Sequence, residues 1–327
     1  MNNTITLRRK TIKELNLTVH QTIDARITKL VSPNQANAIF NQDKIDLLYF
    51  VPKNNRLGLE ILIDEFKKDN EIWLKIWYCF NRGSCTEIEL KRFLSIEKFG
   101  KFLGLMQAEG TKTNIGVIEF CNKSLSEHLD FLEYLTEVGI AKKSIIGKFD
   151  YHPRIKETEK IISDFESKTG VNLRYKVIGP TSGGGYGFKL IIRSRLLREI
   201  VFNALSKIRN LIMIKSSDNK FDILRDSFFS KLLNGDGNVE IITKNRKTPQ
   251  LRLKISDGNL GFLEDYKKIM ETYGLVPHIS KKYQFVRSYI DFNFTKRLIQ
   301  MGAFENNPNY AKLLKFLELL KRDNALT

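Results

Sequence analysis

Cysteine is scarce. The three present, Cys79, Cys85 and Cys121, are odd in number and form no CxxC pair, so neither a disulfide framework nor a zinc ribbon is expected. Histidine is nearly as scarce for a chain of 327 residues, and His20, His128, His152 and His278 show no metal-ligand spacing, which argues against a zinc site. No uninterrupted apolar run reaches the roughly 20 residues that cross a bilayer, and the opening MNNTITLRRK lacks the apolar core of a signal peptide. A soluble, intracellular protein with no membrane partner is the expectation. A phosphate-cradling GxxxxGK[ST] loop is also missing; the glycine-rich run from Ser182 to Gly187 lies between strand-like segments and predicts a hairpin turn. Acidic residues are in deficit, 37 against 54 lysines and arginines, for a formal net charge of +17. That surplus points to a polyanionic partner, with nucleic acid first among the candidates.

What the chain does contain is a short helical pattern that occurs twice. Phe102 to Gly110 reads FLGLMQAEG and Phe229 to Gly237 reads FSKLLNGDG; each is an apolar run with small residues on one face, ending in an acid and a glycine. Gly104 and Ala108 lie four apart, so a second helix can approach that face closely. Gly110 and Gly237 suit the left-handed position that ends a helix. Glu109 and Asp236 would then sit at the negative ends of helix dipoles, a placement disfavoured by about 0.3–1 kcal/mol at exposed sites, so a cation is expected there. Two helices packed side by side would bring the acids together, as a hard divalent cation such as Mg2+ requires.

The segments that follow each copy repeat as well. Ile118 to Leu125 leads through an amphipathic run to Gly139; Leu253 to Leu260 leads through another to Gly274. The spacing differs by a longer hairpin tip in the second copy, around Thr243 to Pro249. A repeat of this length predicts a duplicated, pseudo-symmetric core.

Residues 1–96 precede the repeat and read as a small β-rich α+β domain. Strands are expected at Thr4–Leu7, Thr22–Ile27, Ile45–Val51 and Ile72–Tyr78, with helices near Thr11–Leu15 and Leu59–Lys68. The first unit, 97–213, then reads helix, hairpin, helix, hairpin, helix, with an extra helix from Pro153 to Lys168 and its second hairpin formed by Leu173–Ile178 and Phe188–Arg193. The linker and second unit, 214–327, repeat that order and close on a helix from Tyr310 to Lys321. Strand alternation places Arg174 with Lys176, Lys189 with Arg193, and Arg252 with Lys254 on polar faces, where they could reach phosphates and base edges.

The two motif copies and the order of elements around them resemble the LAGLIDADG homing endonucleases of the single-chain, two-motif type, over roughly residues 97–321. The resemblance implies an α+β fold in which two αββαββα units form a DNA-binding saddle. It implies a monomer that makes double-strand breaks at a long, asymmetric target in double-stranded DNA. Glu109 and Asp236 match the motif's final acid and would hold Mg2+ or Mn2+; Gly104, Ala108 and Gly235 would form the helix interface. Relatives of this kind include intron RNA maturases, so a maturase or a DNA-binding regulator that has lost cleavage is the alternative. Three departures stand out. Glu109 replaces the common aspartate, Gln107 and Asn234 replace the motif's other acid, and Lys231 takes the position matched with Gly104. A lysine there predicts helices locally splayed or a register shifted so that Ser230 makes the close contact.

Overall fold

The computed structural model describes residues 36–324 apart from 56, 60, 80–84, 112–115, 179–184, 245–247 and 306. The elements expected at Thr4–Leu7, Thr11–Leu15 and Thr22–Ile27 lie outside these residues. The described chain is α+β, with eight α-helices and four small sheets. Its contacts form two compact units: the described residues through Ile96 together with Gly110–Ile208, and Glu97–Glu109 together with the chain from Arg209 onward. These units do not follow the boundaries at 96/97 and 213/214. The first motif helix packs with the second repeat, and the segment before it packs with the rest of the first.

In the first unit, β1 (Phe40–Asn41), β2 (Lys44–Asp46) and β6 (Phe93–Ser95) form one antiparallel sheet, and β3 (Leu62–Lys68), β4 (Glu71–Cys79) and β5 (Cys85–Lys91) another. Two expectations fail here. The strand at Ile45–Val51 stops at Asp46, whose side chain accepts from the Leu48 amide at 3.0 Å and turns Leu47–Phe50 into a 3-10 helix. The helix at Leu59–Lys68 is strand β3, because Leu62, Asp64 and Phe66 pair with Trp77, Lys75 and Trp73. Its charged straight-chain residues favour a helix locally, and tertiary pairing outweighs that preference.

After the first motif helix, α1 (Ile96–Glu109), come β7 (Ile118–Asn122), α2 (Leu125–Val138), β8 (Ile145–Tyr151), α3 (Thr158–Thr169), β9 (Leu173–Ile178), β10 (Tyr186–Ile192) and α4 (Arg195–Leu211). The sheet order is β7-β10-β8-β9. Gly110 adds a single bridge to Phe120, a vestige of the strand expected directly after α1. The hairpin of Leu173–Ile178 with Phe188–Arg193 does not form: β10 pairs with β7 and β8, while β9 lies parallel to β8 on the edge. A parallel neighbour needs a crossover, and α3 provides it. The insertion is therefore the helix and the strand together, and Ile145–Tyr151 is the strand that takes the expected place.

The second unit keeps the order αββαββα: α5 (Asn219–Asp236), β11 (Gly237–Ile242), β12 (Gln250–Ser256), α6 (Leu260–Thr272), β13 (His278–Ser280), β14 (Phe285–Ile290) and α7 (Phe292–Gln300), then α8 (Pro308–Asn324). The sheet runs β11-β12-β14-β13, antiparallel throughout. Helix α5 starts where Asp218 accepts from the Lys220 amide at 3.0 Å. It is buried almost all round, which marks a helix at the centre of a core. The linker before it is held by buried Arg225, which donates to the carbonyls of Ile212 at 2.5 Å and Ile214 at 2.6 Å.

Candidate active site

Helices α1 and α5 approach closely at three successive levels, all within the second unit. A Cβ built on Gly100 would lie 2.9 Å from Ser227 Cβ and 3.0 Å from the Leu224 carbonyl oxygen. One on Gly104 would collide with the Phe228 carbonyl oxygen and stand 3.2 Å from Lys231 Cβ. One on Gly235 would stand 2.6 Å from Ala108 Cβ and 3.0 Å from Glu109 Oε1. Ser227, Lys231 and Gly235 thus oppose Gly100, Gly104 and Ala108 with a constant offset, and Glu109 and Asp236 are each the next residue along their helices. Lys231, only 8% exposed, lays its Cβ on Gly104. The helices are not splayed there, and Ser230 is not needed as the close contact.

Neither terminal glycine adopts the left-handed conformation. Gly237 is extended, at φ −89° and ψ 150°, and the chain passes from helix α5 directly into strand β11. Glycine is required there for space: a Cβ would fall 2.5 Å from the Leu233 carbonyl oxygen and 2.8 Å from its Cα. Gly110 is likewise absent from the positive-φ positions and enters its bridge to Phe120. Each acid is therefore fixed at a helix-to-strand corner.

The amides that replace the motif's other acid make structural bonds. Gln107, 1% exposed, donates from Nε2 to the hydroxyl of fully buried Tyr266 at 2.9 Å, and that hydroxyl donates to Asp257 Oδ2 at 3.0 Å. Burial, with the charges of Asp257 and Asp236, holds the Tyr266 phenol far above its usual range, so it stays a donor. Asn234 Oδ1 accepts from the Phe304 amide at 2.6 Å. An amide suits the Gln107 position, since a carboxylate buried there would lack a compensating charge. Tyr266 and Asp257 escaped the sequence reading because a tyrosine on an amphipathic helix and an aspartate in a turn carry no distinguishing pattern.

Each four-stranded sheet has one buried and one polar face. In the first unit, Lys189 pairs laterally with Cys121 and Lys148, on the same face as Glu119 and Asp150. Lys189 lies 3.0 Å from Asp150 and 3.6 Å from Glu119, and Lys148 lies 3.1 Å from Asp150. Burial alone would lower the Lys189 pKa, but the bond to Asp150 and the two acidic charges raise it. Lys176 pairs with Phe149, whose ring is fully buried, so it lies on the opposite face from Lys189. Arg174 is exposed beside a register shift in the edge strand, and Arg193 is exposed just past the end of β10. Nor do Arg174 and Lys176 stand where Arg252 and Lys254 do: β12 pairs with the last strand of its unit, as β7 does, and β7 carries Glu119 and Cys121.

In the second unit, Asn238, Lys254, Arg287 and His278 form a continuous row across four strands, and Glu240, Arg252 and Tyr289 a second. Arg252 is paired with Glu240 and its Nε lies 3.1 Å from the carboxylate; this bond above all holds the Glu240 pKa below its ordinary value. Lys254 Nζ and Arg287 Cζ flank the Phe285 ring at 4.5 and 5.6 Å. His278, Arg287 and Tyr289 were not singled out in the sequence; Arg287 fell outside the last strand, which was expected from Ser288 and begins at Phe285. The alternation of Phe285 to Ile290 contains the signal.

No protein-family model matches the chain, and no curated protein is similar to it at a significant level. Among solved structures it is similar to the meganuclease I-SmaMI bound to uncleavable DNA, with 11% identity, a TM-score of 0.40, and coverage of 70% of this chain and 91% of that one. It is also similar to the LAGLIDADG homing endonuclease I-GzeII in complex with its DNA target, with 9% identity, a TM-score of 0.33 and coverage of 70% and 92%. Variants of the homing endonuclease I-DmoI share 14% identity, with a TM-score of 0.32 and coverage of 67% and 97%. At these scores the likeness assigns neither a family nor an activity to this chain. Among the described residues no helix is long and apolar enough to cross a membrane.

Proposed function

We propose that the chain is a metal-dependent endonuclease that makes double-strand breaks at a long, asymmetric DNA site. The observation that carries this reading is the constant register of α1 and α5, which sets two acid-ended helices side by side with Glu109 Oε1 against Gly235. Among the described residues there is no cluster of three metal-ligating side chains. Paired carboxylates suit Mg2+ or Mn2+, hard cations that complete their shells with water and substrate phosphate oxygens. Glu109 and Asp236 would hold the metal, which when bound would activate water and stabilise charge on the scissile phosphate. The corners at Gly110 and Gly237 hold the two acids. Polar sheet faces and a net charge of +17 supply attraction for the duplex.

The test is cleavage of a plasmid library with Mg2+ by the wild type, Glu109→Gln and Asp236→Asn. Discrete double-strand breaks that vanish or become nicks in the single variants support the reading. Tight, salt-dependent binding without cleavage, unchanged by either substitution, overturns it in favour of a DNA-binding regulator or an RNA maturase.

A further inference from the structure

The two polar sheet faces differ in how their charges are used. On the first unit's face Lys148 and Lys189 are engaged by Asp150 and Glu119, at separations of 3.0 to 3.6 Å, so the two cations within the strands meet two acids, and exposed Arg193 lies just past the end of β10. On the second unit's face Arg252, Lys254 and Arg287 meet one acid, Glu240, which is engaged by Arg252. Neither Lys254 nor Arg287 is ion-paired among the described residues; both lie beside the Phe285 ring, which leaves their donors available to a ligand. Exposed Tyr289, 52% accessible, and His278 extend the same surface with further polar groups.

We infer that the electrostatic grip on duplex DNA belongs to the second unit's sheet, through Lys254 and Arg287, while the first unit's sheet is self-neutralised and adds little salt-dependent affinity. The inference rests on the DNA-binding part of the function proposed above and does not need cleavage. The physical reason is counterion release. A cation that neutralises a phosphate steepens the dependence of log K on log salt by about 0.9, whereas a cation already held by a carboxylate must give up that partner first. The two halves would then hold DNA unequally, with the second unit engaging first and the first unit contributing shape and base contacts.

The experiment measures binding of a labelled random-sequence duplex by anisotropy across a salt series, with circular dichroism melts to verify folding. Lys254→Gln with Arg287→Gln should flatten the salt slope by about two. Lys189→Gln with Glu119→Gln, which leaves the net charge unchanged and Lys148 still paired with Asp150 at 3.1 Å, should shift it by less than about half a unit. Glu119→Gln with Asp150→Asn should steepen it by about two, because Lys148 and Lys189 are then released; a gain of this kind does not arise from misfolding. Equal flattening by the two lysine-containing variants, or no steepening in the acid-to-amide variant, overturns the inference while leaving the DNA reading intact. A wild-type protein that binds no duplex overturns both.

Discussion

Gly104 and Phe228 are in contact through their backbones: no atom can be added to the Cα of Gly104 without striking the Phe228 carbonyl oxygen. Alanine ordinarily favours a helix over glycine by about 0.5–1 kcal/mol, while overpacking a tight core costs about 1–3 kcal/mol. The second effect wins. Gly104→Ala should lower the denaturant midpoint by the equivalent of about 1–2 kcal/mol, whereas Gly258→Ala, where a Cβ meets nothing within 4 Å, should stay within about 0.5 kcal/mol.

Tyr266→Phe removes the hydroxyl to which buried Gln107 donates and which itself donates to the half-buried Asp257. Leaving such groups unsatisfied costs about 1–3 kcal/mol, mostly through their desolvation. Denaturant unfolding should show that loss, and Gln107→Leu combined with Tyr266→Phe should recover part of it. Additive losses in the double variant would break the link.

Gly237→Ala tests the corner rather than the acid. A Cβ would lie 2.5 Å from the Leu233 carbonyl oxygen, so the backbone at Asp236 must shift. Cleavage should fall by at least about 100-fold, as misplacement by an ångström does, with DNA affinity changed far less. Retained cleavage would show that the corner does not position Asp236.

His128 should make stability depend on pH. Burial holds its pKa below the ordinary 6.5, although Nδ1 lies 2.8 Å from the Ser124 carbonyl oxygen and Nε2 lies 3.2 Å from that of Phe188. The neutral ring can donate to only one of them, and the surrounding rings of Phe120, Phe165 and Phe188 keep water out. Below pH 6.5 the unfolded chain takes up the proton and the folded one does not, so stability falls as pH drops toward the folded pKa. Urea midpoints between pH 7.5 and about 5 should decline more steeply in the wild type than in His128→Gln.

The second unit was legible in the sequence almost element by element, because each strand alternates and each helix keeps its period. Asp218, Asn259 and Asp291 also cap their helices as short polar side chains do. The first unit was harder. Ile145–Tyr151 alternates as strictly as any strand, with Ile145, Gly147 and Phe149 inward, but Gly147 reads as a break; a Cβ there would lie 2.8 Å from the Asn172 carbonyl oxygen. Missing that strand turned β9 into a hairpin partner and moved Lys176 to the wrong face. The motif points to Glu109 and Asp236, but the bonds of Gln107 and Asn234 join residues far apart in the chain, which local patterns do not encode.

The chain leaves the first unit after Ile96, contributes a single helix to the second, and returns at Gly110 before crossing again near Arg209. The repeats seen in the sequence are therefore not the pieces that fold together. Expressed alone, residues 214–327 would expose the side of α5 that Gly100, Gly104 and Ala108 cover. A gene divided at the linker would give two halves that depend on each other, active only by complementation.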